Sequence, residues 1–175
     1  MKRKAVVVDC GPIAVDAGVK AKNVAAALAG RPGWQPLVRL PDWLARLNVW
    51  VLANRSRPFA WGEWDCVTAA ADEVREITGR DVLGGLAWGS ARDAMRVLEA
   101  EGGMVAAVMR RLGDPIPVPF TQRGDLVLID DESIARTPEG AVAVCVGEHV
   151  VAPSAAGFAF FPLERASLAW RVGNG

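Results

Sequence analysis

Residues 59–66 read Phe-Ala-Trp-Gly-Glu-Trp-Asp-Cys and join an irregular aromatic loop to a run with helical spacing. Beyond Cys66 the apolar side chains Val67, Ala70, Ala71, Val74 and Ile77 recur at helical intervals. Asp72, Glu73, Arg75 and Glu76 are assigned to the opposite, solvent side, and Gly79 is a natural C-terminal stop. Asp65 stands where a helix cap belongs. Cys66 therefore falls on the first turn, where unpaired N–H groups and the helix dipole favour a negative sulfur. Gly62 gives the loop backbone freedom that other residues lack. Cys66 is the candidate nucleophile, and Phe59, Trp61, Trp64 and Asp65 are the candidate binding residues around it.

The flanking sequence extends this into a fold. Upstream, Leu40-Pro41-Asp42 opens a helix whose apolar stripe is Trp43, Leu44, Leu47, Trp50 and Val51, with Arg57-Pro58 as its stop. Downstream, Ser90 caps a helix through Met95, Val97 and Leu98 that ends at Gly102-Gly103. Residues 104–112 form one more short helix closed by Gly113. The texture then changes: residues 114–119 alternate with proline and are extended. Residues 125–129, 141–146, 149–152 and 158–161 are short β-rich runs between Gly, Pro, Asp or Ser. Helices followed by strands predict an α+β domain, a helical layer on a small antiparallel sheet.

The chain has 175 residues, 51% of them hydrophobic and 23% charged, which suits one globular domain with an arm. All four lysines lie within the first 22 residues. Residues 1–38 carry six basic and two acidic side chains, against 14 and 18 in residues 39–175. This predicts a basic N-terminal arm over 1–38, suited to docking on a partner, and an acidic body over 39–175. A formal net charge of zero argues against a generic grip on nucleic acid. No run approaches the ~18 apolar residues of a membrane span. Residues 1–8 begin like an export signal, but Asp9 interrupts the apolar run, so none is predicted. Cys10, Cys66 and Cys145 are odd in number and widely spaced, which is no disulfide framework. One histidine, His149, and no C-x-x-C pair argue against a zinc site. No phosphate loop is present, and no cofactor or metal is expected. Trp34, Trp61, Trp64 and Trp88 lie in loops, where each can anchor a partner, although Trp61 and Trp64 are expected to pack beside Cys66.

Three segments in order, Phe59-Ala60-Trp61-Gly62-x-x-Asp65-Cys66, Arg123-Gly124-Asp125-Leu126-Val127-Leu128 and Ala141-Val142-Ala143-Val144-Cys145-Val146-Gly147, resemble the NlpC-type branch of the papain-like cysteine peptidases. The resemblance covers about residues 40–172. More closely, the chain resembles a small family encoded in phage and prophage tail-gene clusters. The resemblance implies a papain-like, NlpC-related architecture with Cys66 at the nucleophile position. It places the family's histidine base at Ala141, its loop tyrosine at Phe59, and its third polar position near Ala152; none of these can perform the family's role. His149 lies eight residues beyond the base position, past a Gly147-Glu148 turn, and is expected at the surface. Asp125 is expected to start its strand, and Cys145 to be buried.

A nucleophile without its base loses ~10²–10⁴-fold or more in rate. The expected function is therefore a structural component of a phage tail tip or baseplate, a virion protein assembled in the host cytoplasm. It would be built on a degenerate peptidase domain and dock to neighbouring tail proteins through residues 1–38. The alternatives are a cysteine peptidase or amidase cleaving cell-wall peptides during genome entry, and a module that binds such peptides without cleaving them.

Overall fold

The computed structural model describes residues 36–134, 137 and 139–174. Of the basic arm assigned to 1–38 only the last three residues fall within it; Cys10 and Trp34 lie outside the described residues. Helices α1 (Trp43–Asn54), α2 (Cys66–Thr78), α3 (Ala91–Glu101) and α4 (Met104–Leu112) lead into strands β1 (Leu126–Ile129), β2 (Ala141–Cys145), β3 (His149–Ser154), β4 (Gly157–Pro162) and β5 (Ala166–Trp170). The strands form one sheet in the order β4-β3-β2-β1-β5, with every neighbouring pair antiparallel. The domain is α+β, as the order of periodicities predicts. No described helix is long and apolar enough to cross a membrane.

Local chemistry sets the helix ends. Ser90 accepts the Asp93 N–H at the start of α3, and Gly79 and Gly102 close α2 and α3 in the left-handed region. β1 and β2 are buried along their whole length, which explains their continuous apolar runs where a half-exposed strand would alternate. At the two ends of the domain Val38 and Asn174 form an isolated parallel bridge. Leu37 packs against the core.

Three expectations are corrected. The sheet has a fifth strand, β5, whose small residues Ala166, Ser167 and Ala169 carry little β signal; it is recruited by pairing with β1. Leu44, assigned to the apolar stripe of α1, is exposed, while Leu47 and Trp50 are buried. Glu73, assigned to the solvent side of α2, is fully buried. Its position follows from the helix period counted from Cys66, because Cys66, Ala69, Ala70, Glu73, Val74 and Ile77 fall on one buried stripe.

Glu73 belongs to a buried charged group. Arg39 donates to Asp125 Oδ1 at 2.7 Å and to the Val172 carbonyl at 2.7 Å, and stacks over the Trp43 ring. Asp125 also accepts from the backbone N–H groups of Gln122 and Val172, and Arg171 lies 3.5 Å from its second oxygen. Asp125 thus starts its strand as expected and also closes a long-range ion pair. Both Glu73 carboxyl oxygens lack a hydrogen-bond partner. Burial, followed by Asp125 and Asp72, pushes its pKa well above the usual carboxylate range, against the pull of Arg39. Burial therefore disfavours the charged form of Glu73, which packs beside a matched ion pair.

The folded state holds a proton on Glu73 that the unfolded chain releases in the ordinary carboxylate range. The stabilisation is whole below that range and is lost as pH rises through the elevated value. Glu73→Gln should keep what the wild type loses. In urea denaturation from pH 5 upward, the difference between the two should grow by up to about 1.4 kcal/mol per pH unit in favour of Gln; parallel curves would refute this. Arg39→Leu should cost about 3 kcal/mol at pH 7, because it removes the closest countercharge of the buried Asp125 and leaves it to Arg171 at 3.5 Å and two backbone N–H groups.

Candidate functional site

The loop before α2 is built from its own backbone and one carboxylate. Phe59 donates its N–H to the Ser154 carbonyl, and Ala60 and Trp64 exchange both backbone hydrogen bonds. This turn reverses at Gly62 (φ 73°), where a Cβ would collide with the Trp88 carbonyl, so only glycine fits. Asp65, 1% exposed, is the N-cap of α2: Oδ1 accepts from the Val67 and Thr68 N–H groups, and Thr68 Oγ1 accepts in return from the Asp65 N–H. Oδ2 accepts from Gly62 N–H at 2.8 Å and Trp88 Nε1–H at 2.6 Å. One carboxylate thus ties together the loop, the helix and the 80s segment. Trp88, assigned to a partner, is engaged inside the domain.

Cys66 is the first residue of α2 and is buried. The dipole-based expectation of thiolate character is corrected. Burial, with the adjacent Asp65 charge, pushes the thiol up to about 12, outweighing hydrogen bonds from the backbones of Val142, Val67 and Cys66 itself. A helix end favours an adjacent anion by about 0.3–2 kcal/mol, which is less than the cost of taking the thiolate out of water.

The sheet meets this sulfur at the start of β2. Val142, whose backbone reaches Cys66, follows Ala141 directly; Ala141 is fully buried and presents only a methyl group. β2 and β3 pair only at Val144–Val151 and Cys145–Val150. Ala152, at the third position, is also fully buried. His149 is exposed at the turn end of that hairpin, its carbonyl accepting from Val146 N–H. Val146 is four residues along from Val142, so the imidazole starts ~13 Å down the strand from the thiol contact. Among the described residues no group of three or more His, Cys, Asp or Glu is arranged to hold a metal ion.

The aromatic residues divide between two tasks. Trp64 is 2% exposed and packs on Trp50 and Phe158 at ring distances of 5.9 Å each, so it belongs to the core and not to a docking surface. Arg57 stacks over its outer ring face. Phe59 and Trp61 meet edge to face at 5.0 Å and are half-buried. Trp61 and Trp88 help line a cavity of about 80 Å³ that opens beside Cys66 and runs between α2, α3, α4 and the sheet. Sequence reading missed this cavity; its traces were the small residues Ala70, Ala71 and Ala94 at core positions of α2 and α3.

Two outcomes test this geometry. Alkylation of Cys66 by iodoacetamide, followed by peptide mass spectrometry, should rise about tenfold per pH unit from pH 7 to 10 without levelling off, because only the thiolate reacts; a plateau below pH 9 would refute the raised pKa. Asp65→Ala should cost about 2–4 kcal/mol and loosen both the loop and the 80s segment, since it removes a cap and leaves several donors unpaired.

The family described as a domain of unknown function (DUF6950) matches residues 38–172. No curated protein matches the chain. Among solved structures, the chain is similar to a protein from Staphylococcus aureus subsp. aureus Mu50 described as similar to lipoprotein, NLP/P60 family. Identity is 15% and the TM-score 0.48, over 81% of this chain and 45% of that one, so the chain spans less than half of that protein's length.

Proposed function

Taking as premise that the chain belongs to the DUF6950 family, we propose that it is a non-catalytic scaffold built on a degenerate NlpC-type, papain-like domain. The observation that carries this reading is the state of Cys66: a buried thiol pushed up to about 12, with Ala141 where a base would stand. A hydrolase needs nucleophile and base within about 3 Å and a site into which substrate can bring its carbonyl. Here the neighbouring carboxylate, Asp65, spends both oxygens on capping and on Trp88. The only histidine is exposed at the far end of the β2–β3 hairpin.

The assembly we propose for the scaffold is a phage tail tip or baseplate, with residues 1–38 docking to neighbouring tail proteins and assembly taking place in the host cytoplasm. What supports this is the order of the three sequence motifs, their resemblance to tail-cluster proteins, and the six basic against two acidic side chains of residues 1–38. Basic arms favour acidic partner surfaces and speed their encounter.

Hydrolysis of purified peptidoglycan should be indistinguishable from background for both the wild type and Cys66→Ala. Activity abolished by that substitution would overturn the scaffold reading and favour a cell-wall peptidase or amidase. Co-expression with the products of adjacent tail genes should yield a complex that survives gel filtration and is lost, or weakened at least tenfold, when residues 1–35 are deleted. Retention of peptidoglycan fragments without cleavage would instead favour the non-cleaving binding module.

A further inference from the structure

The cavity beside Cys66 is unusual in what it withholds. Ala70 and Ala71 of α2, Ala94 of α3, and Leu126 and Val142 of the sheet are among the residues that line it. The polar side chains on its wall are already engaged. Asp65 and Trp88 are bonded to each other. Arg111 donates to the Val82 and Ala107 carbonyls and to Glu101, and the Thr137 hydroxyl donates to the Gly140 carbonyl. A peptide entering here would bury its amides without partners, which is strongly unfavourable. A hydrocarbon would give up no hydrogen bonds on entering and would cover apolar lining.

Charge at the rim narrows the choice. Glu101 serves two guanidinium groups, Arg111 at 2.7 Å and Arg110 at 3.5 Å, which leaves that edge one positive charge in excess. Arg110, beside the lining residue Glu101 and donating also to its carbonyl, is half-exposed and keeps further donors toward solvent. A ligand suited to both features has an uncharged chain and an anionic head.

We propose that this cavity binds the alkyl tail of a single-chain carboxylate amphiphile, its head held at the Arg110–Arg111 edge of α4. The binding is non-covalent and leaves the Cys66 thiol as an inert part of the wall. The proposal goes beyond the scaffold reading and stands whether or not that reading holds.

The experiment is a titration of the full chain with sodium butanoate, hexanoate, octanoate and decanoate below their micellar concentrations. It is followed by tryptophan fluorescence and by the rate of Cys66 alkylation. Affinity should rise about fourfold per methylene and level off once the cavity is full. Bound octanoate should slow alkylation of Cys66 at least tenfold while leaving Cys145 unchanged. Ala94→Leu and Ala71→Leu each add bulk within the cavity; whichever folds cooperatively should bind octanoate at least tenfold more weakly. Arg110→Gln should weaken octanoate while leaving 1-octanol unaffected. Failure of octanoate to protect Cys66, affinity indifferent to chain length, or undiminished binding by the filled variants would overturn the proposal. So would partition of the protein onto phosphatidylcholine vesicles without any response to free octanoate.

Discussion

The Asp65 carboxylate is the constraint on which the site depends. A buried carboxylate is tolerated only when donors replace its water, and Asp65 collects the N–H groups of Val67, Thr68 and Gly62 together with the Trp88 indole. Those four donors come from three separate segments, so satisfying one anion fixes the register of α2, the reversal at Gly62 and the packing of the 80s segment. Cys66 inherits its place from this arrangement. The same bonds that put the sulfur at a helix entrance also seal it from water and set a negative charge beside it. Position and reactivity are separated here: the geometry of a nucleophile is kept while its ionisation is suppressed.

A second constraint holds the domain's edges. Arg39, from the segment before α1, crosses to Asp125 at the head of β1 and to the backbone of Val172 near the C-terminal end. Glu73, protonated against this pair, adds no unbalanced charge to the core. Removing either member of the pair takes from the other its closest countercharge, whereas Glu73 can be exchanged for a neutral isostere. The asymmetry follows from pairing, since all three side chains are buried.

How much of this was legible in the sequence depends on the range of the forces involved. Helix starts and stops were readable because Asp65, Ser90, Gly79 and Gly102 act within four residues of themselves. The apolar runs of β1 and β2 were readable because both strands are buried on each face. β5 was not, since Ala166, Ser167 and Ala169 acquire strand geometry only from pairing with β1. Glu73 was misplaced by its charge, although its spacing from Cys66 put it on the buried stripe. The raised pKa of Cys66 was out of reach, because the helix end is local while the burial is assembled by the sheet, the 80s segment and α2 together. Trp64 was assigned to the site by its neighbours in sequence, but its ring turns the other way, toward Trp50 and Phe158.

The bridge between Val38 and Asn174 has a mechanical meaning. Because the two segments run side by side in the same direction, the chain leaves the domain travelling as it arrived, almost where it entered. A force that separates Val38 from Asn174 would load this bridge and the neighbouring bond from Arg39 to the Val172 carbonyl before it reached the helices.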